Sequence, residues 1–297
     1  MTQKINLHTH SVFCDGKNTF EELIQSAINK GFTTLGFSSH SLYPGARSWH
    51  MPPEKFSEYA KTIIQLKEKY SDKINLQLGY EVDFFQASKP DIEFYKTKHN
   101  ADYIIGAVHY VETDNGFYSV DNSTDIVRNN LLRLYPSSIL KTKSPDESEK
   151  LLPFVDGKAA VCEYFATERK MLQTCSFHIL AHPDLIRKRN NELGFFVENE
   201  DWYIEELKAT VKEIVKNGAI VEMNTGAIAR GVMDDFYPSQ LFLQMLYENN
   251  VPVCINSDCH NADFLDCAFD RGMEQAKKIG FKELSYPVDG KIIHIPL

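Results

Sequence analysis

Lys4-Ile5-Asn6-Leu7-His8-Thr9-His10 is a short apolar run that ends in two histidines one residue apart. Far downstream, Val251–Ser257 is another apolar run, and it ends in Asp258-Cys259-His260. A strand turns residues i and i+2 to the same side, so each pair can aim both side chains at one point. Two such pairs, each just past a β-like segment, are hard to explain without a metal between them.

The same reading extends outward along the chain. Strand-like runs cover Lys4–Leu7, Thr34–Ser38, Ile74–Gly79, Tyr103–Val108, Phe177–Ala181, Ile220–Met223 and Val253–Ser257. Amphipathic stretches lie between them at Thr19–Lys30, Pro53–Lys69, Pro90–Lys98, Glu205–Lys216 and Ser239–Glu248. Thr19-Phe-Glu-Glu22 has the form of a capping box, and Gly31 stops that helix. Pro52-Pro53 opens the second helix. Repeated βα units imply a parallel sheet with right-handed crossovers. Seven of them close into an α/β barrel whose reactive groups sit at the carboxyl ends of the strands.

One stretch, 115–175, breaks the alternation with polar residues and Pro136, Pro145 and Pro153, although Ile126–Leu134 and Val161–Leu172 look helical. It follows the fourth strand, so it is expected to lie over the active face as a lid or substrate-recognition insert. Lys291–Leu297 reads as a last strand or strap, with His294 structural.

The bulk properties bound the function. At 297 residues, 43% of them hydrophobic and 25% charged, the chain reads as a single domain spanning 1–297. A net charge of −9 offers no basic footprint for nucleic acid. No apolar run suits a signal peptide or a membrane span. The six cysteines form no C-x-x-C pair, so reduced thiols and a cytoplasmic location are expected.

The strand ends carry the chemistry. The first ends at His8 and His10, with Asp15 a few residues on; the second ends at His40 and the third at Glu81. The fourth ends at His109, the fifth at His182, and the seventh at Asp258 and His260. Only the sixth, at Met223-Asn-Thr-Gly226, ends without a candidate ligand. These imidazoles and carboxylates exceed what one tetrahedral zinc can use, and three divalent ions are the natural partition. Zinc, manganese and iron all suit such donors. Glu81, the only glutamate of the set, is the bridging candidate, and two ions sharing a hydroxide lower the pKa of water from 15.7 to roughly neutral. A lone histidine beside an apolar strand is more often a core residue, and Asp15 has a rival reading as a helix cap. Chance is a poor account of six strands in seven. His50, His99 and His178 have no strand-end position and read as ordinary residues, and Cys259 as packing.

At these residues the chain resembles the polymerase-and-histidinol-phosphatase (PHP) superfamily, and more closely its histidinol-phosphate phosphatases. The metal motifs are those quoted above, together with Gly36-Phe-Ser-Ser-His40, Leu78-Gly-Tyr-Glu81-Val-Asp83 and Asn256-Ser-Asp258-Cys-His260. Ala181-His182-Pro-Asp184-Leu-Ile-Arg187-Lys188, and Glu222-Met-Asn224-Thr-Gly226 with Arg230 and Tyr237-Pro-Ser, resemble the phosphatase branch in particular. The resemblance implies a distorted (β/α)7 barrel holding three metal ions. It assigns His8, His10, Glu81 and Asp258 to one ion, Glu81, His109 and His182 to a second, and Asp15, His40 and His260 to a third. Ser39 departs from the pattern, standing where an aspartate often precedes the histidine.

The resemblance further implies hydrolysis of L-histidinol phosphate, in histidine biosynthesis, by a metal-bridging hydroxide. The partner is then a small phosphate ester rather than nucleic acid or membrane. The phosphate needs a cationic cradle, for which guanidinium is the best geometric match. Arg230 and Arg187 are the candidates, with Lys188 and Arg189 as rivals, and each has the plain alternative of a solvated or ion-paired side chain. Asp83, Glu112, Asp114, Glu163 and Tyr164 are candidates for the ammonium and imidazole end. Asp184 is the candidate proton donor to the leaving group, with a metal-bound water as the rival donor and a helix cap as the plain alternative for Asp184. A broader phosphoesterase of the same superfamily and a non-catalytic metal-binding module are the competing readings.

Overall fold

The computed structural model describes residues 3–41, 49–85, 89–113, 116–141 and 143–297. Asp114 and the first residue of the expected insert lie outside the described residues. Eleven strands are described: β1 (Ile5–Asn6), β2 (Thr34–Phe37), β3 (Asn75–Asp83), β4 (Tyr103–Ala107), β5 (Tyr110–Thr113) and β6 (Gly116–Ser119), then β7 (Ile179–Leu180), β8 (Ile220–Asn224), β9 (Val253–Asn256), β10 (Glu283–Val288) and β11 (Lys291–Pro296). The helices are α1 (Phe20–Asn29), α2 (Phe56–Lys69), α3 (Ile92–His99), α4 (Thr124–Leu134), α5 (Gly157–Thr174), α6 (Asn190–Leu193), α7 (Asp201–Asn217), α8 (Gly226–Ala229), α9 (Gln240–Glu248) and α10 (Phe269–Ile279).

Seven strands form one parallel sheet in the order β1-β2-β3-β4-β7-β8-β9. All seven expected strands are present. β1 and β7 are two residues long rather than four or five, and at β1 the Leu7 N–H bonds the Asn256 side chain instead of a neighbouring strand, at 2.8 Å. The sheet closes between its first and last strands just past their ends, where His10 N–H donates to Cys259 O at 2.8 Å and Cys259 N–H to His8 O at 3.2 Å. A barrel closed at its carboxyl end is the distorted (β/α)7 architecture that the alternation predicts.

The interior is packed rather than hollow. Tyr103 on β4 crosses it and donates to Phe37 O at 3.3 Å. Glycine is required where that ring passes: a Cβ at Gly36 or Gly79 would lie 2.3 Å from it. At the opposite end the β10–β11 hairpin plugs the barrel. Tyr286 OH donates to Ile255 O at 3.1 Å, and Gln77 Nε2 donates to Asp289 Oδ1 at 2.8 Å. The expected C-terminal strand is thus half of a hairpin, and His294 pairs with Glu283 on it at 3.0 Å.

The capping box at Thr19 and Glu22 forms. Within 115–175 the chain makes the β5–β6 hairpin's second strand, α4 and α5. α5 packs on α7 as the crossover helix between β4 and β7, so only the residues before it are extra to the barrel. Among the described residues no helix is long and apolar enough to cross a membrane.

Candidate metal centre and the cavity above it

The strand period continues past the strand ends because neighbouring segments stay hydrogen-bonded there. Ser38 N–H donates to Thr9 O at 2.9 Å, and His40 and Glu81 form a further parallel bridge. His8, His10, His40, Glu81, His109, His182 and Asp258 are buried together at this end.

Glu81 is the hub. Its Oε2 lies 3.4 Å from His8 Nε2, 3.6 Å from His10 Nε2 and 2.9 Å from His40 Nδ1. Its Oε1 lies 3.6 Å from His109 Nε2 and 3.0 Å from His182 Nε2. Asp258 Oδ1 lies 3.6 Å from His8 Nε2 and 3.2 Å from His10 Nε2. Asp15 Oδ1 faces His260 Nε2 at 3.3 Å, and His40 Nε2 and His10 Nδ1 at 3.9 Å. The structure therefore brings together all nine side chains singled out as ligands.

Their geometry fits cations. Donors 2.0–2.1 Å from a tetrahedral ion lie about 3.3–3.4 Å apart, and the contacts of His8 and His10 with Glu81 and Asp258 run from 3.2 to 3.6 Å. Among the described residues the buried atoms His8 Nε2, His10 Nε2, His40 Nδ1 and Glu81 Oε2 have no hydrogen-bond partner. Buried polar atoms are seldom left so, and an ion among them would satisfy them. His10, Asp15, His40 and His260 also offer atoms all within 4.8 Å of one another. His182 reaches the cluster through Glu81.

The electrostatics agree. Burial would raise the Glu81 carboxyl's pKa, but the His40, His8 and His109 imidazoles outweigh it and hold the group well below the carboxylate range. Burial, with His260 and His40 alongside, pulls His10 down to about 3. His182 and Asp258 adopt φ of +24° and +48°, where non-glycine backbone costs about 1–3 kcal/mol. Both side chains end in the cluster, so the strain falls at the site.

Two carboxylates behind the cluster orient its imidazoles. Glu222 on β8 accepts from His8 Nδ1 at 2.8 Å, from Asn256 Nδ2 at 2.9 Å and from Asn224 Nδ2 at 2.8 Å. Asp83 on β3 accepts from His109 Nδ1 at 2.5 Å and from His50 Nε2 at 2.6 Å. Each leaves the far ring nitrogen of a candidate ligand facing Glu81. Such partners raise a ligand's basicity, and losing one costs about 10–100-fold in metal affinity. Asp83→Asn is expected to weaken metal binding by that factor, measured by competition with a chelator. Unchanged affinity would make the Asp83–His109 pair structural only.

Several expectations are corrected here. Asp83 is occupied by His109 and His50 and is not free for a substrate, and His50 is a member of this network rather than an ordinary residue. Arg187 does not reach the site: it is bound by Glu198 at 2.7 Å, Asp235 at 2.8 Å and Phe236 O at 3.1 Å. Asp184 is fully buried and accepts from Ser239 N–H at 2.7 Å. Burial lifts its carboxyl to about 6, a suitable proton affinity in the wrong place. Tyr164 is buried and bonds Pro183 O at 3.2 Å. Glu163 and Glu112 line a separate cavity.

Above the cluster opens a cavity of about 740 Å³. Asp258 and His260 lie in its lining, with Trp49, Asp121, Lys188 and Arg230 around them. Arg230 Nη2 donates to Asp258 Oδ2 at 2.9 Å and Nη1 to Asp258 O at 3.2 Å. On the same turn Lys188 and Arg189, the two residues past the expected Arg187, line the cavity instead.

Comparison with known proteins places this geometry in context. Residues 6–226 match the family model described as "PHP domain". A Schizosaccharomyces pombe protein named "Probable histidinol-phosphatase" is 26% identical over 297 residues, covering 94% of this chain and 88% of that one. The Bacillus subtilis histidinol-phosphatase is 21% identical over 290 residues, covering 92% of this chain and 99% of that one. Among solved structures, the Lactococcus lactis histidinol phosphate phosphatase, complexed with zinc, L-histidinol and phosphate, superposes with a TM-score of 0.69. It is 19% identical and the match covers 98% of this chain and 99% of that one.

Proposed function

Because the chain belongs to the PHP domain family, we propose that it hydrolyses L-histidinol phosphate to L-histidinol and phosphate. The relatives named histidinol-phosphatase, matched over nearly their whole length, support this substrate. So does the Lactococcus lactis protein's complex with L-histidinol and phosphate. The observation that carries the chemistry is the ring of unpartnered buried donor atoms around Glu81 at the edge of a cavity that Lys188 and Arg230 line.

Three ions are proposed. His8, His10, Glu81 and Asp258 would hold the first, Glu81, His109 and His182 the second, and Asp15, His40 and His260 the third. Zinc, manganese or iron would serve. Bound there, they supply Lewis acidity toward phosphoryl oxygens and lower the pKa of water toward neutral. The chain's own residues do the rest. Glu222 and Asp83 fix which imidazole nitrogen faces the centre. Arg230, anchored on Asp258, offers guanidinium N–H groups to phosphoryl oxygens in the planar geometry that phosphate prefers. Trp49 forms an apolar part of the wall, against which the imidazole of histidinol would lie.

The test is turnover of L-histidinol phosphate against p-nitrophenyl phosphate. A preference in kcat/KM above about tenfold, or 1.4 kcal/mol of discrimination in the transition state, is expected. A smaller preference would favour a broader phosphoesterase acting on other monoesters or nucleotides.

A further inference from the structure

Hydrolysis of an alkyl phosphate makes one demand that the cluster and Arg230 leave unmet. The departing oxygen carries away an electron pair as the P–O bond breaks, and an alkoxide is a poor leaving group unless protonated. Asp184 does not line the cavity. Among the protein's own groups, the candidates are the cavity's other side chains that carry a dissociable proton.

Most of these are unsuited. Asp121 is held well below the carboxylate range by Lys188 and His109 despite its burial, so it has no proton to give. Burial pushes the Cys259 thiol up to about 12, and its sulfur is engaged with Asn261 O at 2.8 Å. Arginine does not release its proton in proteins. Lys17 is exposed to solvent at the rim. Lys188 remains.

Lys188 is held as a donor should be. It is buried, at 7% exposure. Its Nζ lies 3.1 Å from Asp121 Oδ2, and among the described residues that is its only hydrogen bond. An ammonium has three N–H groups, so two are left for the cavity. Asp121 is fixed in turn by Ser119 Oγ, which donates to Oδ1 at 3.1 Å. The backbone of Lys188 is clamped on both sides, by the Arg187 ion pairs and by Arg189, whose Nε donates to Asn122 O at 2.9 Å.

We propose that Lys188, positioned by Asp121, donates the proton to the leaving oxygen of the ester. This rests on the phosphatase reading above. The P–O ester bond breaks with its electron pair on the substrate oxygen, which takes one Nζ proton and leaves as the alcohol. A water-derived oxygen bonds to phosphorus, and the neutral amine regains a proton from the one that water released. The protein's field favours the direction of transfer. Burial lowers the ammonium's pKa; Asp121 opposes this, and the Arg230 guanidinium adds to the lowering. A donor that must part with its proton near neutral pH works best so.

The experiment compares Lys188→Arg and Lys188→Met with the parent in the metal-loaded full chain, on L-histidinol phosphate and p-nitrophenyl phosphate. Arginine keeps the charge and the Asp121 pairing but withholds its proton, and a nitrophenolate leaves without protonation. Both variants are expected to lose about 10²- to 10⁴-fold in kcat on histidinol phosphate, and far less on the nitrophenyl ester. The dependence of rate on leaving-group pKa should steepen across a series of esters. Metal content and melting temperature, unchanged from the parent, exclude a folding defect. Equal losses on the two esters, or full activity of Lys188→Arg on histidinol phosphate, would overturn the assignment while leaving the phosphatase reading intact. A parent that hydrolyses neither ester would remove that reading, and the inference with it.

Discussion

Replacing Glu81 by glutamine is expected to abolish turnover and to cost the protein at least one of its metal ions. The carboxylate is nearly inaccessible and stands within 3.6 Å of ring nitrogens from His8, His10, His40, His109 and His182. Its two oxygens face different imidazoles, Oε2 those of His8, His10 and His40 and Oε1 those of His109 and His182. Glutamine has the same shape but no charge, so folding is preserved while the attraction that gathers cations at the centre is lost. A fall in kcat of at least about 10³-fold, or 4 kcal/mol, is expected from losing Lewis-acid stabilisation worth several kcal/mol. Elemental analysis should show at least one ion fewer per chain. A variant that kept both activity and metal would remove Glu81 from the centre of the mechanism.

The second large effect falls on substrate rather than metal. Arg230 is braced by two hydrogen bonds to Asp258 and lines the cavity. Truncating it to alanine removes a preorganised donor aimed at developing negative charge. Losing a single such donor elsewhere costs about 10²–10³ in kcat, or 2.7–4 kcal/mol, and Arg230→Ala is expected in that range. Its metal content should stay at the parent's level, and inorganic phosphate should inhibit it more weakly. If Arg230 served only to hold Asp258, the variant would lose metal along with activity.

Much of this arrangement is legible in the chain, for a specific reason. A parallel barrel makes each strand a short apolar run and puts the functional groups immediately after it, so position along the chain maps onto position in space. His8, His10, Asp258 and His260 obey the period of two that strands impose. Glu81 and Asp83 share that period, and Glu222 and Asn224 do as well. The pairing of Asp83 with His109 and of Glu222 with His8 was therefore half visible: a charged residue inside an apolar strand needs a buried partner. Which partner was not visible, because Glu222 and His8 are 214 residues apart. Arg187 and Lys188 show the other kind of failure. They lie on a 3₁₀ turn, Leu185–Arg189, where successive side chains diverge by about 120°. Arg187 turns away while Lys188 and Arg189 line the cavity, and the direction of Arg187 is set by Glu198 and Asp235, which arrive from later in the chain. Asp184 is carried away from the cavity by the same turn.

The proposed chemistry needs three ions gathered at one end of the barrel. Anomalous diffraction from crystals of the metal-loaded protein, recorded at the zinc, manganese and iron edges, tests it most directly. Three peaks are predicted: one among His8, His10 and Asp258, one between His109 and His182, and one among Asp15, His40 and His260, with Glu81 touching the first two. Peaks elsewhere, or none among these nine side chains in crystals of active enzyme, would contradict it.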